Sequence, residues 1–402
     1  MSVVRVAPRC RRGSLRPSLP TALSLALVSA LFFAVWQGAA AAARSGPSSA
    51  SPISIGFAGA LTGDGASVGR DYLNGVQLAV DDVNAAGGVL GRPLRIVSQD
   101  DQADPQQATN VAQRLVDANV VAVVGHLTSG TTIPTVPIYA RAHIAVLTPG
   151  SNPKVTSQGY ANVFRVDADD SVQGGGLGYY VVTKMRLRRC AVVDDKQAFG
   201  QGVALDFVAG VQRAGGRVTS VNGINPGDVD YRAIITKIKE EHPQAVYFGG
   251  VQAQGGLFVQ QMRALKVTVP FFGPDGLYGP QFIKSAGAAA EGAYVTFEAP
   301  PPASNPAFTR FTARYQSRFK VKPSVAQYGY DSVELIAQAI KAAHSTTPAA
   351  IVSALHANTF TGVLGAYKFN AAGALEHGGT IYLYRVHRGV DVYTTAISGA
   401  EQ

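Results

Sequence analysis

Cysteine is almost absent from this chain. Its 402 residues contain two, Cys10 and Cys190. Cys10 precedes the long apolar run near the amino-terminus, on the wrong side for lipid attachment to a cleaved end, so Cys190 stands alone in the remainder. That excludes an intramolecular disulfide, and with no C-x-x-C pair it leaves no thiolate metal site. The residues after Cys190 (Ala191, Val192 and Val193) read as a buried strand, so the thiol is expected to be packed and unreactive. The seven histidines show no H-E-x-x-H or other ligand spacing. No Walker sequence occurs. Gly174, Gly175, Gly176 and Gly178 lack the G-x-G-x-x-G order and fall within a helical pattern, which favours helix packing over phosphate binding. His126 stands near Ser129, but without an orienting third group on the same turn a structural histidine is the simpler reading. The chain is therefore expected to be no enzyme and to carry neither metal nor cofactor.

Charge is also scarce, at 15% of residues. The formal net charge is +9, but Arg5, Arg9, Arg11, Arg12 and Arg16 lie in the first twenty residues, and no acidic residue precedes Asp64. The remainder carries about +4, too mild and scattered for a nucleic-acid partner. One long apolar run occurs, over residues 21–36, and it is short for a membrane span. The basic residues before it and the small residues 38–43 after it, with their A-x-A sites, make residues 1–43 a cleavable signal peptide. Residues 44–51 read as a Ser, Gly and Pro linker. The mature protein is expected to be soluble and outside the cytoplasm.

What is present is a rhythm of apolar strands and Ala-rich helices. Residues 53–58 and 94–98 read as strands flanking a helix over 70–86, and Asp104-Pro105 caps the next helix. Residues 120–151 give a strand (120–124), a hydroxyl-rich turn, a helix, a second strand (144–147) and a small-residue turn. A second series follows: helices over 171–185, 228–241 and 255–265 alternate with strands over 190–193, 217–221, 245–248, 269–272 and 292–297. After Pro300-Pro301-Pro302 come helices over 306–319, 328–344 and 348–356, then a hairpin-like tail with a strand at 381–386. With each crossover right-handed, this order builds parallel sheets.

In such sheets a ligand sits beyond the carboxyl ends of the strands. Ser129 and Ser151 lie at two such ends. With Thr131 and Thr132 at a helix start, Ser129 suits a carboxylate. The alternative role for these hydroxyls is capping. Asp275, between Pro274 and Gly276 at another strand end, offers a negative charge suited to an ammonium group. Its alternative is an ordinary turn carboxylate. Together the two walls would read a zwitterion.

At this point the sequence resembles the branched-chain amino-acid binding proteins of bacterial ABC transporters, the type I periplasmic binding proteins. The resemblance runs through nearly the whole chain after Pro52. It rests on Ile55-Gly56 with Leu61-Thr62-Gly63, on residues 83–91 (VNAAGGVLG), on Asp100-Asp101 with Asp104-Pro105, and on residues 125–129 (GHLTS) and 148–153 (TPGSNP). Asp195-Lys196 with Phe199-Gly200, residues 247–250 (YFGG) and 273–276 (GPDG) complete it. It implies an α/β fold of two doubly wound Rossmann-like lobes joined by three crossovers. Residues 52–168 with 299–367 would form lobe 1, residues 169–298 with 376–402 lobe 2, and residues 368–375 the third crossover. It further implies a periplasmic monomer that closes on an amino acid and delivers it to a membrane permease. Carried over, Leu127, Ser129, Gly150 and Ser151 form the first-lobe wall, and Asp275 matches the acid that holds the ligand ammonium. Where well-studied members place Tyr, this chain has Val68, Phe199 and Val251, which implies a larger and less polar side-chain pocket. The expected ligand is an amino acid with an apolar side chain, branched or aromatic and possibly larger than leucine. The competing readings are a binding protein for an amide, urea or aromatic carboxylate, an extracytoplasmic enzyme on the same lobes, and the sensing domain of a transcription regulator.

Overall fold

Alternating strand and helix patterns fold into two separate sheets in the computed structural model. It describes residues 51–398, apart from 64, 302–303 and 377–378. The expected signal peptide, and the linker up to residue 50, lie outside the described residues.

The first sheet has five strands in the order β2-β1-β3-β4-β5. These are β1 (Ile53–Gly59), β2 (Leu94–Asp100), β3 (Ala122–Val124), β4 (Ala145–Thr148) and β5 (Val163–Arg165). All neighbours are parallel. Such strands are buried on both faces, which is why Ile53, Ile55 and Phe57 of β1 and all three residues of β3 are buried. Around this sheet lie α1 (Ala66–Ala85), α2 (Pro105–Asp117) and α3 (Ser129–Arg141). As the Asp-Pro pair implied, Asp104 caps α2 by accepting the Gln107 N–H at 2.7 Å.

The second sheet has seven strands, β14-β13-β10-β9-β8-β6-β7. Its parallel part is β6 (Arg189–Asp194), β7 (Arg217–Gly223), β8 (Ala245–Gly249), β9 (Phe271–Gly273) and β10 (Tyr294–Phe297). An antiparallel hairpin, β13 (Thr380–His387) with β14 (Val390–Ser398), extends one edge. The helices in this part of the chain are α4 (Gly176–Thr183), α5 (Ala198–Arg213), α6 (Arg232–Glu240), α7 (Gln252–Ala264) and α8 (Pro280–Ala286). Two of the boundaries that differ from the sequence pattern have a visible local cause. Residues Ser171–Gly175 form a π-helical turn ahead of α4. There Gly174 lies so close to α5 that an added Cβ would sit 2.3 Å from the Val203 carbonyl oxygen, so the glycine run does serve helix packing. Residues 228–231 form a turn before α6, tied by the Tyr231 hydroxyl to the Asp228 carbonyl at 2.5 Å.

The chain passes from the first sheet to the second after β5 and again between β12 and β13. In between, the segment after β10 supplies α9 (Pro306–Phe319), α10 (Ala326–Ala343), α11 (Pro348–Ala357) and the two-residue strands β11 (Phe360–Thr361) and β12 (Ala366–Tyr367). Helix α10 packs directly on α1. An added Cβ on Gly75 would lie 1.9 Å from the Ala326 carbonyl oxygen. The Asp71 carboxylate of α1 accepts the Ser324, Val325 and Ala326 N–H groups at 2.7 to 3.0 Å, satisfying donors at the start of α10. No described helix is long and apolar enough to cross a membrane. Cys190 is buried and free, and burial pushes its thiol up to about 12.

Candidate functional site

The strand order of each sheet locates a crevice. In the first, β1 is followed by β2 on one side and β3 on the other; in the second, β6 is followed by β7 on one side and β8 on the other. Connections leave such a switch point in opposite directions, which opens space beyond the strand ends. Residues 125–129 and 149–151 lie there in the first sheet. Residues 195–199, 250–251 and 274–276 lie there in the second.

On the first wall Thr128, not Ser129, caps α3, accepting the Thr131 N–H at 3.3 Å. The Thr131 hydroxyl returns to the Thr128 carbonyl at 3.0 Å, and the Thr132 hydroxyl to the same carbonyl at 2.8 Å. Both are thereby spent on the turn. The buried Ser129 hydroxyl instead accepts the Asn152 N–H at 3.1 Å, which leaves its own proton to donate. Gly150 sits against Ser129, and an added Cβ would lie 3.4 Å from the Ser129 Cα. The Gly150 N–H is held by the Thr148 hydroxyl at 2.9 Å. Leu127 is half-buried beside Gly59. Ser151 is buried, its carbonyl accepts the Asp170 N–H at 3.0 Å, and its hydroxyl turns toward the Asp170 carboxyl. Val68 is half-buried on the first turn of α1, next to Gly69, whose added Cβ would lie 1.7 Å from the Ala60 carbonyl oxygen.

The second wall gathers Phe199, Gly250, Asp275 and Gly276. An added Cβ on Gly276 would lie 2.8 Å from Phe199 Cε1 and 2.5 Å from the Gly250 carbonyl oxygen. Val251 is 43% exposed just before α7. Asp275 is half-buried, and its shielded Oδ1 has no hydrogen-bond partner. Burial pushes its carboxyl up to about 6, against the lowering influence of the Gln173 amide that faces it. A side-chain hydrogen bond joins the walls. Asn152, on the turn after β4, donates from Nδ2 to the Ala198 carbonyl at 2.7 Å, at the start of α5.

Three buried or half-buried carboxyls escaped the sequence reading as site residues: Asp167, Asp170 and Glu298. Asp167 follows β5 and Glu298 follows β10, so both sit at strand ends, the same signal that singled out Asp275. One oxygen from each of Asp167, Asp275 and Glu298 lies within 4.8 Å of the other two. Burial, and then the Asp275 charge, hold Asp167 well above the usual carboxylate range; burial and the Asp167 charge do the same to Glu298. Asp167 and Glu298 also line a cavity of about 190 Å³, together with Tyr328, Tyr367 and Tyr382.

His126 does have an orienting carboxylate, supplied by Asp101 from a distant turn. Asp101 Oδ2 lies 2.7 Å from His126 Nδ1, and Nε2 lies 3.2 Å from the Tyr139 hydroxyl. With all three side chains buried and both ring nitrogens occupied, the imidazole is not paired with Ser129 as a base.

A family model described as periplasmic binding protein matches residues 52–390. The leucine-, isoleucine-, valine-, threonine- and alanine-binding protein of Pseudomonas aeruginosa is 35% identical over 335 residues, which span 82% of this chain and 88% of that protein. Among solved structures, leucine-binding protein LivK from Thermotoga maritima superposes with a TM-score of 0.81 at 25% identity, covering 87% of this chain and 100% of that one. The branched-chain amino-acid transporter substrate-binding protein LivJ from Streptococcus pneumoniae, in complex with isoleucine, gives 0.79 at 28% identity, covering 86% and 99%.

Proposed function

The chain belongs to the periplasmic binding protein family, and from that premise we propose that it is the extracytoplasmic solute-binding component of an ABC importer for an amino acid. The Ser129 hydroxyl and the first turn of α3 take the ligand carboxylate, with Leu127, Gly150 and Ser151 shaping that wall. Asp275 takes the ammonium. Phe199, Val68 and Val251 surround an apolar side chain, branched or aromatic. The lobes close on the ligand by a hinge motion at the crossovers. The loaded monomer then meets a membrane permease, having reached the periplasm by way of its cleaved signal peptide.

One pair of features carries this reading: the Ser129 hydroxyl is left free to donate at a helix start beyond one sheet, and beyond the other sheet the half-buried Asp275 carboxylate has an Oδ1 without a donor. Those two features match the two ends of a zwitterion. Charge-assisted hydrogen bonds of this kind contribute roughly 1.5 to 3 kcal/mol each, enough for recognition without chemistry. The relatives named for, or crystallised with, aliphatic amino acids support the same class. A thermal-shift panel of branched, aromatic and small amino acids, amides and aromatic acids tests it. Stabilisation by apolar amino acids is expected. Stabilisation only by compounds without an ammonium group would remove the role given to Asp275.

A further inference from the structure

The carboxyl cluster at the crossovers holds more negative charge than an amino acid can answer. Asp167, Asp275 and Glu298 bring three carboxyl groups together, whereas a zwitterion supplies one ammonium. Arg165, the cation that acts on Asp167, is already bonded to Asp169 at 2.8 Å. Two further observations mark this place as a binding site for a polar group. Glu298 is nine-tenths buried, neither of its oxygens has a hydrogen-bond partner, and it lines the 190 Å³ cavity. Gln173 is 1% exposed and faces Asp275, yet neither atom of its amide completes a hydrogen bond.

We propose that Asp167, Asp275 and Glu298 form a binding site for a hard divalent cation of calcium size, seated where the crossovers meet the ligand crevice. The geometry fits. Calcium holds oxygens at 2.3 to 2.6 Å, so two ligands on opposite sides of its shell stand about 4.6 to 5.2 Å apart. The three carboxylate oxygens all lie within 4.8 Å of one another, close enough to share one such ion. The cavity has room for the waters that complete six to eight ligands. Because Asp167 follows β5, Glu298 follows β10 and Asp275 lies on the second wall, the ion would tie two crossovers to the ammonium anchor and set the hinge.

Titrating chelator-treated full-length protein with calcium by calorimetry, and with terbium by tyrosine-sensitised luminescence from the cavity tyrosines, tests this. One calcium per chain is expected, with affinity at least about tenfold weaker in Asp167→Asn and in Glu298→Gln. Absence of uptake by the wild-type protein overturns the proposal whether or not the variants fold. Uptake unchanged in both variants overturns it too, because the ion would then sit elsewhere. The amino-acid reading is judged apart: stabilisation by amino acids without calcium uptake defeats only the cation site. Calcium uptake lost in the variants, without any amino-acid response, defeats only the amino-acid reading.

Discussion

In the proposed reading, Asp275 concentrates the chemistry of recognition in one side chain. Replacing it with Asn removes the charge and keeps the shape, so affinity for an amino acid is expected to fall by about 1.5 to 3 kcal/mol, roughly ten- to a hundredfold, in calorimetric titration. Its pH dependence follows from its surroundings. Burial lifts the carboxyl to about 6, and the carboxyls of Asp167, Asp170 and Glu298 face the same space. Ammonium binding needs the ionised form, so affinity is expected to rise with pH through about 6 and level off above it. Ligand-free stability runs the other way. A carboxyl whose folded-state value is raised above 3.8 binds its proton more tightly in the folded chain, so its contribution is fully present below that value and is lost as pH rises through about 6. Asp195, Asp206, Asp331 and Asp391 share the shift and the sign. Melting scans from pH 4 to 8 are expected to show the ligand-free transition falling while the ligand-induced gain grows. Asp275 could be singled out in the sequence because Pro and Gly frame it at a strand end. Asp167 and Glu298 carry no such frame, and only the meeting of crossovers from distant parts of the chain makes them neighbours of Asp275.

At the level of elements, the turn after β4 meets the start of α5. Asn152 reaches Ala198 because Gly202, one turn into α5, leaves its side chain room. A Cβ there would lie 2.2 Å from Asn152 Nδ2. Gly202→Ala is therefore expected to break that hydrogen bond and cost about 1 kcal/mol of closure, seen as roughly fivefold weaker ligand binding with little change in the ligand-free melting temperature. Element types and order were legible in the sequence, since apolar periodicity and caps such as Asp104 are local signals. The π-helical turn before α4 was not, because a neighbouring helix forces it. Nor was the division of labour among Ser129, Thr131 and Thr132. Their spacing marks a helix start, and only coordinates show that two hydroxyls turn inward on Thr128.

For the whole molecule, the two sheets and the crossovers between them suit the proposed closure to a rigid-body motion. Small-angle scattering is expected to give a smaller radius of gyration with ligand than without, and an unchanged value would remove the hinge from the mechanism. The two-lobed architecture was readable from the alternating pattern only once the resemblance was recognised, because periodicity says nothing about which late helices return to which sheet. That return has a consequence for synthesis. Helix α1 is completed by α10, and the Asp71 carboxylate waits for the Ala326 N–H, 255 positions downstream. At 5 to 20 residues per second, a ribosome needs roughly 10 to 50 s to cover that distance. Throughout that interval the nascent first lobe lacks its covering helix, so this part of the chain stays incompletely packed until α10 emerges.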